Sequence, residues 1–256
     1  MAARARPASV VFDRVADRYD ETRGGQARAD MMADLLVPLL PGTGPLLELA
    51  VGTAIVAATI AGRTGRPVVG IDLSRPMLEV GRPRLPGCLI HGDVTTLPIR
   101  TASLDAACAL WILHLVGDPE AMLDEAARVL RKGGRLVAVG RGESRSDEDV
   151  DRIVDAVEHE LRPGVAETPD AISPLARRAG LQIVDVVETG HQSFGTTPVQ
   201  AVERYESQTW SFTWDLDPAT RARVLDPAIA ALRALPDQDR PRQRVGLLRA
   251  MVLDRV

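Results

Sequence analysis

Between residues 45 and 140 the chain alternates short apolar runs with segments of helical spacing, and this alternation limits the fold more than any other feature. Pro45–Ala50, Pro67–Asp72, Cys88–Asp93, Leu104–Leu110 and Arg135–Gly140 read as strands. Ala54–Arg63, Ser74–Arg84 and a segment from Asp118 to near Arg131 read as helices. Ser74 and Asp118 are the expected N-caps, because their side-chain oxygens can accept from the free N–H groups of a first turn. Strands apolar at nearly every position have no solvent face, so they belong in a parallel sheet covered by helices on both sides. The expected fold class is α/β, a doubly wound sheet.

The flanks follow other patterns. Apolar residues at 11, 12, 15, 16 and 19 have helical spacing, and Gly24-Gly25 stops that segment. A second helix is expected from about Ala27 to Leu40. Beyond the alternating region, helices are expected over Asp147–Leu161, Pro174–Ala179, 198–207 and 217–235, and strands over Leu181–Val187 and Val245–Leu253. The implied organisation is an N-terminal helical lid (1–43), a core (44–187), a helical insertion (188–244) and a final core strand (245–256).

Composition narrows the function classes. At 256 residues the chain is one large domain or a domain with an appended lid. Two cysteines, Cys88 and Cys108, support neither a disulfide framework nor a zinc cluster, and both read as buried thiols, so no metal is expected. The acidic run from Glu143 to Asp151 reads as a solvated helix start. A net charge of −4 argues against nucleic acid as a partner. No apolar run reaches the roughly 18 residues a membrane span needs. No apolar stretch follows Arg4 and Arg6, so a cytoplasmic location is the default expectation. Lys132 is the single lysine among 31 basic residues, a bias that suggests a GC-rich genome and makes specialised metabolism an expectation.

Three acids fall at the ends of three successive strands: Glu48, Asp72 and Asp93. Open α/β sheets bind ligands along that carboxyl edge. After Glu48 the run Leu-Ala-Val-Gly-Thr-Ala54 supplies small residues for a tight strand-to-helix turn, where backbone can approach a ligand. Asp72, twenty residues after Gly52, is placed to accept both hydroxyls of a ribose, and Asp93 to meet an adenine amino group. Each acid also has a plainer reading as a helix cap or turn residue.

The chain resembles the class I S-adenosylmethionine-dependent methyltransferases of the small-molecule type over about residues 10–190. The resemblance rests on Phe12-Asp-Arg-Val-Ala-Asp-Arg-Tyr-Asp20, Leu47-Glu-Leu-Ala-Val-Gly-Thr-Ala54, Gly70-Ile-Asp-Leu-Ser-Arg-Pro-Met-Leu78, His91-Gly-Asp-Val94, Ile112-Leu-His-Leu-Val-Gly-Asp-Pro-Glu120 and Ala127-Arg-Val-Leu-Arg-Lys-Gly-Gly-Arg-Leu136. It implies a Rossmann-like seven-stranded sheet in the order 3-2-1-4-5-7-6, with the last strand antiparallel. It further implies that Glu48, Ala50, Gly52 and Ala54 cradle the methionine part of the cofactor, with S-adenosylhomocysteine as product. Asp72 would hold the ribose, Leu73 and Met77 would pack on the adenine, Asp93 and Val94 would flank it, and Leu110 would line the site. The family usually has Gly where this chain has Ala50 and Ala54.

The acceptor side is less defined. His114 follows the fourth strand and is a candidate general base or a hydrogen-bonded capping histidine. Tyr19 is a candidate catalytic residue or a packing residue of the lid. Trp111, Trp210 and Trp214 are candidates for the substrate pocket, the last two equally for a core or hairpin. His191 has no placed partner. The expected function is methyl transfer to a small apolar or aromatic metabolite by a monomer or homodimer. The alternatives are a cyclisation or rearrangement on the same fold, or a non-catalytic partner role.

Overall fold

The computed structural model describes residues 9–142, 148–161, 167–213 and 216–256. The chain divides into two compact units: Met1–Gly140 with Val165–Val187 and Arg249–Val256, and Arg141–Gly164 with Glu188–Leu248. Residues 141–164, expected within the core span 44–187, therefore group with the insertion.

In the first unit the N-terminal segment is three short pieces rather than one helix: α1 (Ser9–Val15), a 3-10 turn over Ala16–Arg18, and α2 (Tyr19–Thr22). Gly24, at φ 91°, then starts α3 (Gly25–Leu36) in place of the expected Ala27–Leu40. β1 (Leu46–Leu49), α4 (Ile55–Thr64), β2 (Val68–Asp72), α5 (Arg75–Gly81), β3 (Leu89–His91) and β4 (Leu104–Leu110) follow as the alternation predicts. Ser74 caps α5, accepting from the Met77 N–H at 3.3 Å, and Asp118 caps α6 (Pro119–Val129), accepting from the Ala121 N–H at 3.0 Å.

β5 begins earlier than expected, at Leu130, and runs to Arg141. The pairing jumps from Leu104–Leu130 to Ala106–Arg135, so Arg131–Gly134 form an irregularity that absorbs the Gly-Gly pair inside the strand. α7 (Asp149–Leu161) lies in the second unit. α8 (Pro169–Arg178) starts five residues before the expected Pro174, because Thr168 caps it through the Ala171 N–H and Pro169 occupies its first turn. β6 (Leu181–Thr196) and β7 (Arg242–Arg255) are both longer than the sequence patterns.

The sheet order is β3-β2-β1-β4-β5-β7-β6, with β1, β2, β3, β4 and β5 pairing parallel and β7 antiparallel. Its core is Leu47, Leu49, Ile71, Ala107, Leu123, Leu136, Met251 and their neighbours, each nearly closed to solvent. No helix among the described residues is long and apolar enough to cross a membrane.

In the second unit, α9 (Pro198–Glu206) carries a reciprocal capping box between Thr197 and Gln200. The expected helix over 217–235 is α10 (Pro218–Thr220), a π turn over Arg221–Leu225 and α11 (Asp226–Arg233). The unit is organised around Arg242, whose side chain is fully closed to solvent. Its guanidinium donates to both Asp149 oxygens and to the carbonyls of Pro236, Asp237 and Arg240. A groove of about 620 Å³ beside α7 and α11 is lined by Ile153, Val157, Val224 and Leu235. Its rim acids are engaged, Asp149 by Arg242 and Glu160 by Arg223.

Candidate functional site

The register of the sheet sets Glu48 level with Gly70 on β2 and Cys108 on β4. Glu48 is 3% exposed, and its Oε2 is buried without a hydrogen-bond partner. Burial, then the neighbouring Asp72, pushes its carboxyl up from the ordinary 4.5 to about 8, against the opposing pull of Arg28 and the Ala57 N–H. Burial, then the Glu48 charge, pushes the Cys108 thiol well up as well, so that group stays neutral.

The turn after Glu48 is held by backbone strain. Ala50 sits at φ 54°, Gly52 at φ 56° and Ala54 at φ 58°, all left-handed. A Cβ on Gly52 would meet nothing within 4 Å, so this face of the turn is open for a ligand. The methyl of Ala54 does not enter that space. Ala54 is fully buried, and its Cβ lies where a side chain on Gly81 of α5 would come to 3.0 Å. Ala50 packs against the sheet core. The two alanines therefore cost backbone strain rather than room at the open turn. A non-glycine residue in this region costs about 1–2 kcal/mol. Ala54→Gly is expected to raise the unfolding free energy by about 1 kcal/mol in urea titration, less what glycine loses through unfolded-state entropy. A clear loss of stability would show that the Ala54 methyl contributes more through packing than it costs in strain.

Asp72 completes the turn. Its Oδ2 accepts from the Gly52 N–H at 2.7 Å and its Oδ1 from the Ser74 N–H at 2.8 Å. Burial is the main cause that raises its pKa, opposed by those N–H bonds. The adjacent Leu73 is 46% exposed, a free apolar face beside the acid. Asp93 is exposed and orders the loop through Oδ1, which accepts from the Thr95 N–H and hydroxyl at 2.8 Å. Val94 is nearly buried and Leu110 half-buried. Met77, expected to face the same ligand as Leu73, is 2% exposed and closed into the core, because α5 turns that side chain inward.

The N-terminal segment is tied to this edge. Ser74 Oγ donates to Asp13 at 2.5 Å, Thr53 Oγ1 donates to Asp20 at 2.6 Å, and Arg84 pairs with Asp20 at 2.7 Å. Tyr19 packs edge-on against Phe12, with ring centroids 6.1 Å apart. Arg28 on α3 lies 3.8 Å from the Trp111 ring centroid. Arg28 also contributes charge at Glu48. The sequence reading missed Arg28; one arginine on a charged helix gives no signal until α3 is placed. Trp111 has φ 52°, a strained conformation at a strand end of the kind that clusters at functional sites.

His114 is 15% exposed in its side chain, and Nδ1 lies 2.9 Å from Glu167 Oε1. The same oxygen accepts from the His114 backbone N–H at 3.2 Å. This contact engages one ring nitrogen, Nδ1, with a carboxylate as its partner. Half-buried Trp210 stacks on Phe212 and meets Tyr205 edge-on at 4.7 Å, packed against the core of the second unit. Residues Ser211–Thr213 form a 3-10 turn and not a hairpin strand. Trp214 lies outside the described residues, as does the stretch 143–147 of the acidic run. The His191 side chain is likewise outside them.

Residues 47–138 match a family model described as a methyltransferase domain. A demethylmenaquinone methyltransferase from Clavibacter sepedonicus is 38% identical over 138 residues, 50% of this chain and 56% of the relative. A ubiquinone/menaquinone biosynthesis C-methyltransferase from Syntrophotalea carbinolica is 34% identical over 139 residues, 50% of this chain and 59% of the relative. The chain therefore spans a little over half the length of these relatives. Among solved structures, the [4+2]-cyclase SpnF superposes with TM-score 0.62 at 17% identity, covering 100% of this chain and 99% of that one. Geranyl diphosphate C-methyltransferase from Streptomyces coelicolor gives 0.55 at 16%, covering 89% and 79%. At these identities the structural likeness carries the fold and not the reaction. Residues 47–138 thus match a methyltransferase domain, on a sheet whose strand order is the one that the resemblance to class I S-adenosylmethionine-dependent methyltransferases implies.

Proposed function

We propose that this chain binds S-adenosylmethionine at the Glu48–Ala54 turn and transfers its methyl group to a small acceptor with an acidic hydroxyl on an aromatic ring. The observation that carries the reading is the open Gly52 turn between buried Glu48, which keeps an unpartnered carboxyl oxygen, and half-buried Asp72. That donor set fits a cationic adenosyl ligand. Glu48 and Arg28 present a carboxyl and a guanidinium to the ammonium and carboxylate of an amino acid. Asp72 keeps lone pairs for two ribose hydroxyls, Leu73 offers an apolar face to the adenine, and Asp93 takes its amino group. When bound, the cofactor supplies an electrophilic methyl on a sulfonium.

The protein's share is binding, orientation and exclusion of water, which together can lower a barrier by about 7–11 kcal/mol. The tie of Ser9–Thr22 to Ser74, Thr53 and Arg84 makes this segment a cover over the adenosyl side. Trp111 forms an apolar wall on the acceptor side. Support for the acceptor class comes from relatives named as a demethylmenaquinone methyltransferase and a ubiquinone/menaquinone biosynthesis C-methyltransferase, since a quinone ring reduced by two electrons bears hydroxyls.

Calorimetry with S-adenosylmethionine and S-adenosylhomocysteine tests the cofactor half. Micromolar binding of both is expected, and binding of neither would refute the reading. Incubation with methyl-labelled cofactor and demethylmenaquinol then tests the acceptor half. A labelled product heavier by one methylene unit is expected; an isomer of the acceptor would point to a rearrangement instead.

A further inference from the structure

We infer that Glu167 is a positioning residue, fixing His114 with the proton on Nδ1 and leaving Nε2 as the atom that takes the acceptor's hydroxyl proton. The inference rests on the methyltransferase reading above and names a part of its site that neither the sequence nor the comparisons assign.

Glu167 Oε1 accepts twice from one residue, from the His114 backbone N–H at 3.2 Å and from Nδ1 at 2.9 Å. The two bonds fix both the loop and the ring. A carboxylate accepts and cannot donate, so an ionised Glu167 selects the tautomer with Nδ1 protonated. Nε2 then carries the lone pair, and it has no hydrogen-bond partner among the described residues. Both side chains are mostly buried, at 15% and 9% exposure, where a charge-assisted bond is stronger than in water.

The placement is also built into the sheet. His114 lies four residues beyond the end of β4, next to strained Trp111. The other carboxylate oxygen crosses over Gly140 near the end of β5, where a Cβ would meet Glu167 Oε2 at 2.5 Å. Glycine at 140 makes room for the carboxylate. The pair thus sits at the carboxyl ends of two neighbouring parallel strands, and β4 is also the neighbour of β1, which carries the cofactor turn.

The step is a proton transfer. The O–H bond of the acceptor breaks, its electron pair stays on oxygen and enriches the ring, and the proton goes to Nε2. The resulting imidazolium is held by the Glu167 charge. A ring hydroxyl needs this help, whereas an amine acceptor with a free lone pair does not.

The first readout needs no acceptor. Nitrogen-15 NMR of the full chain with labelled histidine is expected to show the His114 proton on Nδ1 and a bare Nε2. A protonated Nε2 with a bare Nδ1 would overturn the inference, since that ring cannot donate to Glu167. The second readout uses Glu167→Gln, which keeps the size of the side chain but loses its charge. With demethylmenaquinol as acceptor, kcat is expected to fall at least about tenfold while the calorimetric affinity for S-adenosylmethionine stays within about twofold. An unchanged kcat would mean that Glu167 only latches the loop. If cofactor affinity falls too, Gly140→Ala, which displaces the carboxylate from the other side, must reproduce the kcat loss; otherwise the inference fails. If the wild type binds no cofactor, the methyltransferase reading fails, and if it does not turn over demethylmenaquinol, the acceptor class fails; the tautomer then decides the Glu167 inference separately.

Discussion

Raising the pH from about 4.5 to 8 is expected to destabilise the cofactor-free protein, and Glu48→Gln to remove most of that loss. Glu48 is closed to solvent beside a second acid, so its native carboxyl holds a proton to about pH 8 while the unfolded chain releases it near 4.5. The native state therefore binds more protons across that window. The stabilisation is full below the unfolded value, shrinks as pH rises through the window, and is gone above the folded value. Each unit is worth about 1.4 kcal/mol, so the total is on the order of 3–5 kcal/mol. Asp72, whose pKa is also raised, adds a smaller slope of the same sign. Urea titrations of both proteins at pH 5, 6.5 and 8 give the comparison. Parallel curves would mean that Glu48 is ionised in the native state. A cationic ligand at Glu48 favours the ionised form, so saturating S-adenosylmethionine should flatten the wild-type curve.

Asp72→Ala is expected to weaken S-adenosylmethionine and S-adenosylhomocysteine equally, by about tenfold to about 150-fold. A hydrogen bond to a charged group contributes about 1.5–3 kcal/mol, and tenfold corresponds to about 1.4 kcal/mol. The two ligands share the ribose, which is why the losses must match. The variant also frees the Gly52 and Ser74 N–H groups that Asp72 now engages, so part of the effect is a looser turn. Asp72→Asn separates the two contributions, because the amide oxygen can still satisfy one of those donors. Calorimetry showing a loss for one ligand only, or for neither, would remove Asp72 from the ribose site.

The core of the first unit was legible from residue patterns because its determinants are local. β4 matches its expected bounds, and Ser74 and Asp118 cap the helices they were assigned to. The acids at β1 and β2 were visible because a parallel strand repeats its apolar pattern up to the edge where it stops. The first miss was the N-terminal helix, whose spacing is helical but whose hydrogen bonds break into three pieces as Asp13 and Asp20 turn to partners on other elements. Pro174 looked like a helix start, and only the Thr168 cap shows it to be interior.

Sequence alone therefore determined the layered sheet, its strand ends and the acids upon them, since each depends on neighbours a few residues away. Tertiary structure decided what those groups meet. The raised pKa of Glu48 follows from burial and the nearby Asp72; the packing of the Ala54 methyl follows from Gly81 on α5; and the carboxylate beside His114 comes from Glu167, 53 residues along the chain. Desolvation, van der Waals contact and hydrogen bonding depend on distance in space, and the chain's order does not encode that distance until the sheet has brought its carboxyl edges together.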